Sequence, residues 1–207
     1  MRIGVLASHE GSVLQAILDA CKETDVDARL CARVSVVISN NSESGALRRA
    51  RAAGTPALHL SSATHPDGDA LDRAITQSLA DAGVDLVVLA GYMKRLGPVT
   101  LARFNDRIIN THPSLLPKYG GSGYFGRRVH EAVLASGDRE SGATVHWVAG
   151  DYDSGPIIAQ IRVAVAAAET AASLETKVKA AERTMLIDAL RVIAKRFKSS
   201  EIAQQNH

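Results

Sequence analysis

The sequence predicts an α/β fold built on a mostly parallel sheet, and three observations carry that reading. Arg2 to Ser8 is a short apolar strand that passes through the turn His9-Glu10-Gly11-Ser12 into Val13 to Cys21, where Leu14, Ile17, Leu18 and Cys21 recur at helical spacing. Leu30 to Ser39 is rich in Val and Ile and ends at Asn40-Asn41, two good turn residues. Asp85 to Ala90 reads D-L-V-V-L-A, the nearly continuous apolar run of a central parallel strand covered on both faces.

The remaining elements follow in order. Ser42 or Ser44 caps a helix from Gly45 to Ala53, whose Arg48, Arg49 and Arg51 read as a solvated face; Gly54 stops it, and Pro56 opens a strand through Leu60. A helix with Leu71, Ile75 and Leu79 on one side comes next, and Pro98 starts a short helix through Arg103. After the glycine-rich segment G-G-S-G-Y-F-G a helix spans Arg128 to Ala135. Gly142 to Val148 and Ile157 to Val165 read as strands, with Thr144 and His146 on one face. Leu174, Val178, Ala181, Met185, Ile193 and Phe197 mark one face of a long C-terminal helix that frays beyond Lys198.

Composition narrows the function. A chain of 207 residues and 21.9 kDa suits one domain, residues 1–207, with an ordinary balance of apolar and charged residues. The formal net charge of +2 argues against a nucleic-acid surface, which needs a concentrated basic stripe. No run approaches the length of a membrane span and the N-terminus is not a signal peptide, so no membrane partner and a cytoplasmic location are expected. Cys21 and Cys31 lack a C-x-x-C partner and are expected to be reduced core residues.

The chemistry concentrates in R-I-I-N-T-H-P-S-L-L-P-K-Y, Arg107 to Tyr119. Asn110 and His112 stand two apart, so an extended chain projects both from one face, where a carboxamide and an imidazole can hold a carbonyl oxygen as it becomes an oxyanion. Pro113 and Pro117 stop the strand and stiffen the turn. Downstream lie His146 in G-A-T-V-H-W-V and the acidic pair Asp151 and Asp153 in D-Y-D-S-G-P; a carboxylate reaching an imidazole fixes its tautomer and stabilises its charged form. His112, His146 and Asp153 could also be metal ligands, but no H-x-x-x-H or cysteine pair favours this, and no metal is expected.

N-T-H-P-S-L-L-P-K-Y, G-A-T-V-H-W-V and D-Y-D-S-G-P together resemble the folate-dependent formyltransferases, and the likeness runs over nearly the whole chain. Within them it is most similar to the branch that formylates glycinamide ribonucleotide in de novo purine biosynthesis. The resemblance implies a Rossmann-like formyltransferase fold with helices on both faces and an antiparallel C-terminal portion. It implies 10-formyltetrahydrofolate as co-substrate, small-molecule partners only, and a monomer or homodimer. Asn110, His112 and Asp153 take the catalytic positions. Met93, Lys94, Arg95 and Leu96, with Asn110, Ala149, Gly150, Asp151, Tyr152 and Asp153, take the folate positions.

Gly11, Ser12 and Val13 fall on the substrate-phosphate loop, a strand-turn-helix that presents free amides to an anion. Lys179 and Glu182 fall on positions that touch phosphate and ribose, although their spacing alone reads as an exposed surface pair. His9 and Val13 depart from the family's G-x-G-S-N, Gly68 stands where a basic residue is usual, and Glu10 is expected to face solvent. A sugar-nucleotide formyltransferase and a formyltetrahydrofolate hydrolase are the alternatives, as is a binding protein without turnover. The chain reads as too short for a tRNA-gripping domain and without an N-terminal regulatory one.

Overall fold

A computed structural model describes residues 1–25, 28–150 and 153–205, with side chains through residue 197. The chain divides into two compact units, Met1–Ile108 with Leu190–His207, and Ile109–Ala189.

The first unit contains β1 (Arg2–Leu6), α1 (Ser12–Lys22), β2 (Arg33–Ser39), α2 (Gly45–Ala52), β3 (Ala57–His59), α3 (Gly68–Asp81), β4 (Leu86–Leu89) and α4 (Pro98–Arg103). Its strands run parallel in the order β3-β2-β1-β4, the arrangement that strand-helix alternation requires. Ile3, Val5 and Leu6 of β1, Val36 to Ile38 of β2 and all of β4 are buried, as runs covered on both faces should be.

Several expectations shift. Leu30 to Ala32 is not strand: Leu30 N donates to Ala20 O and Ala32 N to Leu30 O, so those amides serve a turn tied to α1. Cys31 is therefore exposed, and only Cys21 keeps partial burial. Nor are all the arginines of α2 merely solvated. Arg49 donates from Nε to Glu10 O and from a terminal nitrogen to Gln15, and Arg48 reaches the Glu10 carboxylate at 3.7 Å. Ser44, not Ser42, caps the helix, accepting from Leu47 N. Asp72 on the buried side of α3 accepts from Val99 N, Thr100 N and the Thr100 hydroxyl, which satisfies the first free amides of α4.

The second unit contains most of β5 (Ile108–His112), then α5 (Arg127–Ala135), β6 (Glu140–Trp147), β7 (Ile157–Ala164) and the first part of α6 (Ala171–Gln205). β5-β6-β7 are antiparallel, as the resemblance implied. The C-terminal helix continues to Gln205, past the expected fraying point, because no helix breaker follows Lys198. Among the described residues no helix is long and apolar enough to cross a membrane.

Asp72→Ala should leave the Val99 and Thr100 amides at the start of α4 unpaired and cost about 1–3 kcal/mol, while the Thr100 hydroxyl keeps Thr76 and the backbone carbonyl of residue 72 as partners. The urea midpoint measures this, and a midpoint equal to wild type would refute the capping role.

Candidate active site

The register of β5 against β6 builds the centre of the site. Asn110 lies opposite His146 and His112 opposite Thr144, so all four side chains leave one face of the antiparallel pair. Thr144 fixes the turn that follows β5: its Oγ1 donates to Ser114 O at 2.7 Å and accepts from Leu116 N at 3.1 Å and Gln160 Nε2 at 2.9 Å. The Leu116-Pro117 peptide in this turn is cis.

Asp153 enters from the loop between β6 and β7. Its backbone is left-handed, φ 53°, which Asp tolerates better than most residues. Two residues on, a β-carbon at Gly155 would collide with the Trp147 carbonyl, so glycine there lets the loop close against β6. The carboxylate is enclosed by nitrogen. Oδ1 accepts from Asn110 Nδ2 at 3.2 Å and lies 3.4 Å from His146 Nε2. Oδ2 accepts from Gly121 N at 3.0 Å and lies 3.3 Å from His112 Nδ1. Burial pushes this carboxyl up, but the two imidazoles and the Gly121 amide outweigh it and hold its pKa below the usual carboxylate range.

His112 is buried and lies between two oxygen acceptors, Asp153 on Nδ1 and the Tyr119 carbonyl, 2.7 Å from Nε2. Only an imidazolium can donate to both. Burial nevertheless lowers the ring's pKa more than Asp153 and Tyr119 raise it, with His146 adding a small downward push. The lowered value favours a neutral resting ring at pH 7, while Asp153 acts in the expected direction by favouring the charged form. The ring is poised next to two groups that welcome a second proton.

His146 settles the orientation of Asn110. Its Nδ1 lies 2.9 Å from the Trp147 carbonyl, and a proton there leaves Nε2 to accept from Asn110 Nδ2 at 3.1 Å. A proton on Nε2 would instead point it at Asp153, 3.4 Å away, the contact through which this ring lowers the carboxyl's pKa; with the proton on Nδ1, Nε2 keeps the shorter contact to Asn110. Both amide hydrogens of Asn110 are then engaged, and its oxygen is not.

The other expected residues are placed as follows. Gly11 caps α1 in the left-handed region, φ 70°, and a side chain there would strike Ala46 at the start of α2; Ser12 and Val13 form the first turn of α1. Glu10 faces solvent, 78% exposed in its side chain. Met93 N donates to Ser8 Oγ at 2.8 Å and Ser8 N to Gly91 O, which ties the loop of Met93, Lys94, Arg95 and Leu96 to the exit of β1; Met93 is exposed and Leu96 buried. Ala149 and Gly150 are exposed in the turn after β6, while Asp151 and Tyr152 lie outside the described residues. Lys179 is exposed and pairs with Glu175 at 2.6 Å, not with Glu182. Glu182 is only 7% exposed, so the surface-pair reading of spacing fails; burial raises its carboxyl's pKa, with the Thr111 hydroxyl and Lys179 opposing.

Sequence reasoning missed two participants and one buried polar residue. Tyr119 and Gly121 act through backbone atoms and carry no side-chain signal. His130 on α5 is buried between Val129 and Val133, and a histidine inside an apolar helical face was the available sign. A cavity of about 530 Å³ lined by Leu116, Lys118, Tyr119, Gln160 and Arg162 lies beside the cluster and includes none of Asn110, His112 or Asp153. Among the described residues no group of three or more His, Cys, Asp or Glu is arranged to hold a metal ion.

Residues 1–190 match the Formyl transferase family model. The chain belongs to this family, in its phosphoribosylglycinamide formyltransferase branch. It is 40% identical over 193 residues to phosphoribosylglycinamide formyltransferase of Mycobacterium tuberculosis, covering 93% of this chain and 85% of that one. The Escherichia coli enzyme of the same name is 37% identical over 185 residues, covering 89% and 83%. The trifunctional purine biosynthetic protein of Chironomus tentans is 37% identical, but this chain spans only 14% of its length. Among solved structures, glycinamide ribonucleotide transformylase 1 of Symbiobacterium toebii superposes with a TM-score of 0.86 at 41% identity, covering 94% of this chain and 88% of that one.

A histidine titration followed by nitrogen-resolved NMR should place the His112 pKa below 6.5. In Asp153→Asn it should fall further, because the carboxylate that favours the cation is gone. A rise in the variant would contradict the assignment.

Proposed function

We propose that this chain transfers the formyl group of 10-formyltetrahydrofolate to the primary amine of glycinamide ribonucleotide in de novo purine biosynthesis. Residues 1–207 act as one formyltransferase domain. The observation that carries the reading is the approach of Asn110 and His112 to the two oxygens of one carboxylate, Asp153, at 3.2 and 3.3 Å, in a chain of this family. Relatives named for this activity support it.

As the amine adds to the formyl carbon, negative charge gathers on oxygen and the nitrogen must shed a proton. Asn110 turns one N–H from its resting partners to that oxygen. Asp153, through an ordered water, passes the amine proton to the neutral His112 ring. The imidazolium then faces Asp153 and Tyr119 as a satisfied donor, adds its charge to the stabilisation of the oxyanion, and returns the proton to the departing folate nitrogen. The proton count closes: one leaves the amine, one reaches the folate, and His112 ends neutral. His146 positions Asn110 and Asp153.

By resemblance, Met93, Lys94, Arg95 and Leu96 with Ala149 to Asp153 hold the folate. Gly11, Ser12 and Val13 contribute backbone donors to the acceptor's phosphate, with Lys179 toward phosphate and Glu182 toward ribose. His9, Val13 and Gly68 favour one further reading, an amino sugar nucleotide as acceptor.

Purified protein given formyltetrahydrofolate and a panel of amines should consume folate with glycinamide ribonucleotide; transfer only to a sugar nucleotide or to water would overturn the acceptor assignment. Turnover should survive exhaustive chelation, and its loss with recovery on added zinc would replace this mechanism with a metal-assisted one. His112→Ala and Asp153→Asn should each lower kcat by ~10²–10³ with the circular dichroism spectrum retained. Near-wild-type turnover in either variant is incompatible with the roles given.

A further inference from the structure

Between α5 and α6 runs a polar seam that the mechanism above does not use. His130 is 1% exposed, and its Nδ1 is buried with no hydrogen-bond partner. On the same helix, Arg127 Nε contacts Glu175 Oε2 at 3.1 Å, and from α6 Lys179 Nζ contacts Glu175 Oε1 at 2.6 Å. Glu175, Lys179, Arg127 and His112 are the charged and titratable groups that His130 senses. Two cations and one carboxylate thus act on a ring whose buried Nδ1 is idle. An unpaired buried polar atom is uncommon in a native fold and calls for a partner the chain does not supply.

The position of that ring is informative. His112, the last residue of β5, is the reacting imidazole, and Lys179 lies beside the charge cluster on α6. His130 stands close enough to both for their charges to act on it. An acceptor whose amine lies at His112 and whose phosphate reaches toward Lys179 spans the two groups whose charges act on His130.

We infer that His130 is a substrate-positioning residue, donating a hydrogen bond to the phosphate of the acceptor alongside Arg127 and Lys179. This rests on the acceptor being a phosphate ester, as in the proposed function. A phosphate is the ligand that suits the seam, since it supplies several acceptor oxygens and negative charge where the protein has an excess cation. Burial holds the empty ring's pKa below the ordinary imidazole value, so it is neutral at pH 7. A phosphate set against it favours the charged form, and binding of the acceptor should draw in a proton at this site.

The test uses the full chain, steady-state kinetics and calorimetry. In His130→Gln the KM for glycinamide ribonucleotide should rise roughly tenfold to a hundredfold, while the KM for formyltetrahydrofolate and kcat change less than about threefold. Calorimetry of acceptor binding in two buffers of different ionisation enthalpy should show proton uptake in wild type that is smaller in the variant. Should His130→Gln fail to fold, His130→Leu, which has no donor, serves the same comparison. An unchanged acceptor KM, or equal rises in both KM values, overturns the inference. If wild type itself does not formylate glycinamide ribonucleotide, the failure belongs to the proposed function, and the two outcomes are distinct.

Discussion

One buried carboxylate organises the chemistry of this chain. Asp153 lies within 3.4 Å of an amide nitrogen, two imidazoles and a backbone N–H, drawn from β5, β6 and the glycine-rich loop. An ionised carboxyl in partial burial is stable only where donors replace the water it has lost. The same enclosure aligns His112 and Asn110, because each spends one of its polar atoms on Asp153. The requirement to solvate one charge is what gives the reacting groups their orientation.

Opposing pressures on His112 follow from this. Burial disfavours the imidazolium, while Asp153 and the Tyr119 carbonyl favour it, so the two protonation states are brought nearer in energy than burial alone would allow. A group that must take and return one proton in each cycle benefits from this balance, since neither state is a trap. Tyr119 contributes only its carbonyl to the ring, and its side chain is engaged elsewhere, with the Ser136 and Asp138 side chains beyond α5. The turn from Pro113 to Tyr119 is therefore held at several points: by Thr144 at Ser114 and Leu116, by Gln160 at Leu116, and by Asp138 at Lys118 and Tyr119.

The supporting residues show the same economy of polar groups. Arg49 and Arg48 brace the loop of Glu10 from α2, and Asp72 closes the start of α4, so exposed charge and buried charge alike serve backbone that would otherwise lack partners. Glu182 and His130 are the exceptions. Each is buried with less compensation than Asp153 receives, and each lies in the part of the second unit where the acceptor is proposed to bind. Unspent polar capacity at such positions is the expected signature of a site awaiting a ligand.

Much of this was legible before any coordinates. Apolar runs at Ile3 to Ala7 and Leu86 to Leu89 determined the parallel strands, because a strand covered on both faces leaves no room for alternation. The two-residue spacing of Asn110 and His112 determined that they share a face, because side chains alternate along any strand. The meeting of Asp153 with His112, forty-one positions apart by their numbers, was decided by the β5-β6 register and by a left-handed residue in the loop, neither of which leaves a local periodic signal. Contributions from the Tyr119 carbonyl and Gly121 amide also belong to tertiary structure alone, since every residue owns those atoms. So does the burial of Glu182 and the neutrality of His112: a side chain's type sets which charges it can carry, but the surroundings that folding assembles set which one it keeps.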